Sequence, residues 1–72
     1  MATVLTNEEK IEIINQHLRT IDYAIYNSEL EKIEAEAIEN PVAEVISAIT
    51  DNLANLNLKR SALAAEKATL TE

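Results

Sequence analysis
The chain has 72 residues with no cysteine, no glycine and a single proline, and its 13 acids outweigh six bases for a formal net charge of −7. Without cysteine, disulfides and thiolate metal sites are excluded and a reducing compartment fits; the acidic balance and the lack of a basic stripe argue against direct nucleic-acid binding. Apolar residues make up 47% of the chain, too many for a disordered segment, but no run approaches the roughly 18 residues of a membrane span and the opening lacks a signal-peptide pattern, so a cytoplasmic protein with no membrane partner is expected.

Residues 1–5 read as a frayed tail. Thr6-Asn7-Glu8-Glu9 has the form of a capping box, in which Thr6 caps the following turn and Glu9 reaches back to it. Glu8 and Glu9 also suit the positive end of a helix dipole. Ile11, Ile14, Leu18, Ile21 and Ile25 then recur at 3-4-3-4 spacing, the seam of an amphipathic helix with a period of about 3.5. After Ile25 the apolar pattern is displaced, and the next set is Tyr26, Leu30, Ile33 and Ala37. One residue turns a helix by about 100°, so two halves with different faces, or a distortion between them, are expected. Ser28 and Glu31 stand at the displacement as a second capping box; if it forms, the helix divides there and the chain has three helices.

Glu39-Asn40-Pro41 is the strongest break. Proline fits a first helical turn and breaks a helix interior, and it disfavours the α region for the residue before it. The reading is a first helix over about 7–39, a turn at 39–41 with Asn40 as N-cap, and a second helix over about 41–69, together one all-α domain over 1–72: an antiparallel hairpin. The competing reading is a kink in one continuous helix. In the second helix Val42, Ile46, Ile49, Leu53, Leu56, Arg60, Leu63, Lys67 and Leu70 keep 4-3 spacing, and Ala68 to Glu72 are expected to fray.

Folding at Asn40 sets opposite each other residues whose numbers sum to about 81, good to about one turn. Ile11, Ile14, Leu18, Ile21, Ile25, Leu30 and Ile33 then meet Val42, Ile46, Ile49, Leu53, Leu56 and Leu63 as the candidate core and self-association residues. Asp22 falls near Arg60 and Lys59. Ile13, Tyr23, Ile38, Val45 and Leu58 lie off the seam. A single core in fewer than about 80 residues rarely suffices without a disulfide, a metal or oligomerisation. A homo-oligomer is therefore expected, most simply a dimer of hairpins forming a four-helix bundle.

Charge is uneven. Residues 29–51 carry seven acids against Lys32 alone, a net −6, while the remaining positions carry six acids and five bases, a net −1. Glu31, Glu34, Glu36 and Glu39 form the candidate partner surface. It reads either as a solvated face that keeps the protein soluble or as a docking site for a basic protein.

The chemistry of catalysis is missing. His17 is the only histidine and has no acid at i−3 or i±4, so the Glu-x-x-His of a bundle metal site is absent. The pairs Glu9/Glu12, Glu31/Glu34 and Glu36/Glu39 share faces, as an acidic helix can hardly avoid. A lone histidine without cysteine is a poor start for a nucleophile–base pair, and without glycine there is no phosphate-cradling loop. No enzyme, no cofactor and no metal are expected. Tyr23 and Tyr26, the only aromatics, read either as packing at the displaced seam or as a recognition patch, since tyrosine favours interfaces.

Leu5-Thr6-Asn7-Glu8-Glu9-Lys10-Ile11, with Ile13-Ile14-Asn15 and then Tyr23, Tyr26-Asn27 and Leu30-Glu31, resembles small helical proteins of marine tailed phages, cyanophages in particular. The resemblance covers the first half of the chain and rests on helix-start and core patterns. It implies a viral source, a place in the host cytoplasm or the virion, and an accessory or assembly role; it assigns no site residues. The function expected is a non-enzymatic helical interaction or assembly module. The alternatives are an acidic adaptor or inhibitor of a basic host protein, and a small assembly chaperone that shields apolar segments of a client.

Overall fold
A computed structural model describes residues 4–71. Of the expected frayed tail, residues 1–3 lie outside the described residues, as does Glu72. The described chain is two α-helices, α1 over Asn7–Ala37 and α2 over Ala43–Leu70, packed against each other as a hairpin. At 31 and 28 residues the helices are each on the order of 45 Å long, and the molecule measures 58 × 21 × 15 Å.

The start of α1 follows from its sequence. The Glu9 N–H donates to Thr6 Oγ1 at 3.1 Å and the Thr6 N–H donates to Glu9 Oε1 at 3.0 Å, so the capping box closes in both directions. Two N–H groups that a helix end leaves without partners are thereby satisfied. The Thr6 backbone N–H, followed by its hydroxyl, holds the Glu9 carboxyl below the usual carboxylate range.

α1 then runs unbroken through Ser28, so the second capping box does not form. With no glycine or proline to interrupt it, the helix keeps its intrahelical hydrogen bonds, and Asn and Ser are only mildly poor helix formers. Nor does the inward seam slip. After Ile25 the residues withdrawn from water are Ser28, Lys32 and Ala35, which continue the spacing of Ile11, Ile14, Leu18, Ile21 and Ile25. Tyr26, Leu30 and Ile33 are left outside at 61%, 39% and 62% exposure. A regular helix cannot turn a new face to its neighbour without distortion, and backbone regularity prevails here over the local apolar pattern.

The reversal uses residues 38–42. Ile38 is extended (φ −80°, ψ 159°) and ends α1, two residues before the expected stop at Glu39. Asn40 has φ 56°, in the left-handed region that asparagine tolerates better than most residues. In a chain without glycine it supplies the sharpest change of direction. The N-cap role expected of Asn40 falls instead to Val42, which is extended (φ −86°, ψ 112°) and has no side chain able to cap. Pro41 therefore precedes α2 rather than opening it. The Val42 carbonyl accepts from the N–H groups of Val45 and Ile46 at 3.1 and 3.2 Å. At the far end α2 persists to Leu70, beyond the fraying expected from Ala68, with Thr71 donating from both N–H and Oγ1 to the Ala68 carbonyl.

Two tests follow from these ends. Asn40→Val should lower the stability of the hairpin by about 1–2 kcal/mol, the cost of a left-handed conformation for a residue with a bulky Cβ, while Asn40→Gly should hold or raise it; denaturant titration followed by helicity reads both. The Glu9 carboxyl is held low in the folded chain, so its contribution is complete above its unfolded value and is lost as pH falls through the folded one. Wild-type helicity should thus decline across the acidic carboxylate range by more than that of Glu9→Gln.

Candidate interaction surface
Cross-helix contacts fix the register of the hairpin. Arg60 Nε donates to Asp22 Oδ1 at 2.7 Å, a surface ion pair in the place the fold at Asn40 predicts. The hydrogen bond and then the charge of Asp22 raise the Arg60 pKa. Asn52 Nδ2 donates to Ser28 Oγ at 2.9 Å, and Asn7 Nδ2 to the Leu70 carbonyl at 3.4 Å. Ser28 is 5% exposed and is the only buried residue among those described. The most buried position between the helices is therefore polar, and its partner is an amide rather than an apolar side chain.

Around it the apolar seam is half covered. Ile11, Ile14, Leu18, Ile21 and Ile25 of α1 and Ile46, Ile49, Leu53, Leu56 and Leu63 of α2 are all partly withdrawn from water, but no hydrophobic residue among those described is buried. Three of the predicted core residues, Leu30, Ile33 and Val42, are exposed on the hairpin, at 39%, 62% and 50%. Lys67 is half-buried on the seam, where its stem can cover apolar neighbours while its ammonium stays wet.

Most of the exposed large apolar residues fall in two places, while Val4, Leu5, Ile13 and Leu58 lie outside both. At the turn, Ile38, Val42 and Val45 are 56%, 50% and 48% exposed, and the four glutamates of the acidic surface, Glu31, Glu34, Glu36 and Glu39, are exposed nearby in sequence. Asn27 Nδ2 donates to Glu31 Oε1 at 3.1 Å. Glu39 lies beyond the end of α1, so it does not share a helical face with Glu36.

The second place is the outer side of α1. Tyr23, Tyr26, Leu30 and Ile33 follow one another at 3-4-3 spacing and are 65%, 61%, 39% and 62% exposed. Packing between the helices, the first of the two expectations for the tyrosines, is not what the hairpin does with them. Tyr23 and Tyr26 line two adjoining open depressions, one with Arg19 and Asp22, the other with Ala24, Asn27 and Leu30. The Arg19 guanidinium lies over the Tyr23 ring at 5.3 Å from its centroid and donates to its hydroxyl at 3.3 Å. A guanidinium so placed over the ring face makes a cation–π contact. The signal for this surface was present in the sequence, as the apolar set displaced from the seam.

His17 is exposed on a third depression with Gln16, Thr20 and Ile21. Among the described residues no group of three or more histidines, aspartates and glutamates stands close enough to hold a metal ion, and no helix is long and apolar enough to cross a membrane. No family model, no curated protein and no solved structure matches the chain.

The Ser28–Asn52 contact carries its own test. Ser28→Ala should cost about 1 kcal/mol, the usual net worth of an intramolecular hydrogen bond. Joint replacement by Ser28→Ala and Asn52→Leu should recover at least that much by adding an apolar layer. A thermodynamic cycle over the two positions measures the difference.

Proposed function
We propose that the protein is a non-enzymatic helical module that works by self-association, two hairpins bringing four helices together, and that serves protein interaction or assembly. One observation carries this reading: the hairpin buries none of its own hydrophobic side chains among the described residues. A half-covered large aliphatic side chain forgoes much of the roughly 1.5–3 kcal/mol that full burial supplies, while each ordered backbone residue costs about 1–2 kcal/mol of entropy. Dimensions agree. A compact chain of 8.0 kDa would expose about 4,500 Å² and, at 72 residues, have a radius of gyration near 11 Å. The hairpin exposes 5643 Å² and has a radius of gyration of 16.8 Å. The surplus of roughly 1,000 Å² is of the order that one partner buries in a stable interface, about 800 Å². The resemblance of the opening to small phage proteins supports an accessory or assembly role in host cytoplasm or virion.

A second reading draws on the turn, where Ile38, Val42 and Val45 are exposed and the exposed Glu31, Glu34, Glu36 and Glu39 lie nearby in sequence. Exposed apolar residues in an acidic stretch suit a basic protein partner, and the module then acts as an acidic adaptor or inhibitor.

Sedimentation equilibrium over a concentration series, with helicity followed in parallel, tests the leading reading. The expected result is a dimer that loses helix as it dissociates; a stably helical monomer at micromolar concentration would overturn it. For the second reading, replacing Glu31, Glu34 and Glu36 by Gln should abolish capture of a basic partner while leaving helicity unchanged.

A further inference from the structure
We propose that the second copy docks antiparallel on the outer face of α1, with Tyr23 and Tyr26 of each copy against Ile33 and Leu30 of the other. The inference rests on the self-association reading and names its interface. On α1 the positions withdrawn from water after Leu18 are Ile21, Ala24, Ile25, Ser28, Lys32 and Ala35, and all but Ala24 keep the 3-4 spacing of the seam. Tyr26 is one residue past Ile25 and two before Ser28, about 100° and 200° around the helix from them. Its face is thus turned away from α2, and the two α1 helices become the middle of a four-helix layer with the α2 helices outside. The flanks of the inter-helix seam, which a square bundle would bury, carry the Asp22–Arg60 ion pair instead, with side chains 51% and 46% exposed.

Three features specify this occupant. The first is the spacing. Arg19, Tyr23, Tyr26, Leu30, Ile33 and Ala37 are separated by 4-3-4-3-4, which reads the same in both directions. A two-fold axis passing level with Ser28 therefore lays each position on a position of the same face in the other copy, as an isologous contact requires. Each tyrosine meets an aliphatic side chain, and the open depressions on either side of the Tyr23–Tyr26 pair receive the facing side chains.

The second feature is charge. Residues 29–51 carry a net −6; parallel docking would set two such ends side by side, whereas antiparallel docking places them at opposite ends. Separation of like charges and juxtaposition of opposite ones direct an interface more than they tighten it. At the margin Arg19 stands opposite Ala37 of the second copy. The small alanine leaves room there for the guanidinium to approach the second copy's Glu34 and Glu36.

The third is area. Four large apolar side chains, three of them exposed by more than 60%, supply the desolvated centre of an interface, and tyrosine is among the residues that dominate such centres. Their polar surround of Arg19, Asp22 and Asn27 makes up the rim.

The test uses the full chain. Tyr26→Glu should weaken dimerisation at least tenfold; because Tyr26 is exposed within the hairpin, the variant should match wild-type helicity where it is still associated and lose helix on dilution at a correspondingly higher concentration. Leu58→Glu, the same change of charge on α2 at a residue 69% exposed, should alter it less than twofold. Loss of association in Leu58→Glu with none in Tyr26→Glu would overturn the proposed face while leaving self-association intact; a wild-type chain that never associates would overturn both. Direction is read separately by a nitroxide on Glu39→Cys, in a protein with no other cysteine. A spacing of roughly 30 Å between labels, from twice the axial distance to the two-fold axis, is expected. A spacing within about 15 Å, near the distance between packed helices, would mean parallel docking and overturn the arrangement.

Discussion

Two helices cannot enclose a core. Rods of about 10 Å diameter touch along a line, so each inward residue is covered by its neighbour on one side and open to water on the flanks. Everything particular to this protein follows from that limit. Ile11, Leu18, Leu53 and Leu56 reach only partial burial, and among the described residues the one that is closed off is a serine. The Ser28 hydroxyl accepts from Asn52, so this buried polar group has its partner.

Much of this was legible in the sequence because it is local. The capping box at Thr6 and Glu9 depends on four consecutive residues and formed as they predict. The turn near Asn40-Pro41 follows from the backbone chemistry of proline, and once the turn is placed, the pairing of Asp22 with Arg60 is arithmetic along two helices of fixed rise. What could not be read locally was the path of the seam after Ile25. The apolar residues point to Tyr26, Leu30 and Ile33; the helix that carries them has its inward face set by the five aliphatic residues before them and by α2. Seen from the sequence, Ser28, Lys32 and Ala35 offer no apolar claim to that face. They hold it because the period of the helix puts them there.

The turn failed to follow expectation for a related reason. Asparagine is both a good N-cap and a residue tolerant of the left-handed region, and its type alone does not say which property is used. Here the chain has no glycine to make the reversal, so Asn40 makes it and the cap of α2 passes to Val42, which has nothing to cap with. The weak start of α2 and the glutamates near the end of α1, where no basic side chain offsets the helix dipole, make the acidic turn the least favoured part of the hairpin by local rules. Such departures from local preference are where function tends to be found.

The same logic distinguishes what holds the hairpin from what extends it. Between the helices, the specific contacts are polar: Ser28 with Asn52, and at the surface Asp22 with Arg60 and Asn7 with the Leu70 carbonyl. Polar contacts of this kind add little free energy but fix register, because a shift by one turn would separate every pair. Outside, Tyr23, Tyr26, Leu30 and Ile33 leave apolar surface in water, and apolar burial adds free energy without direction. The proposed association would cover those side chains and supply apolar burial that the half-covered inner seam does not.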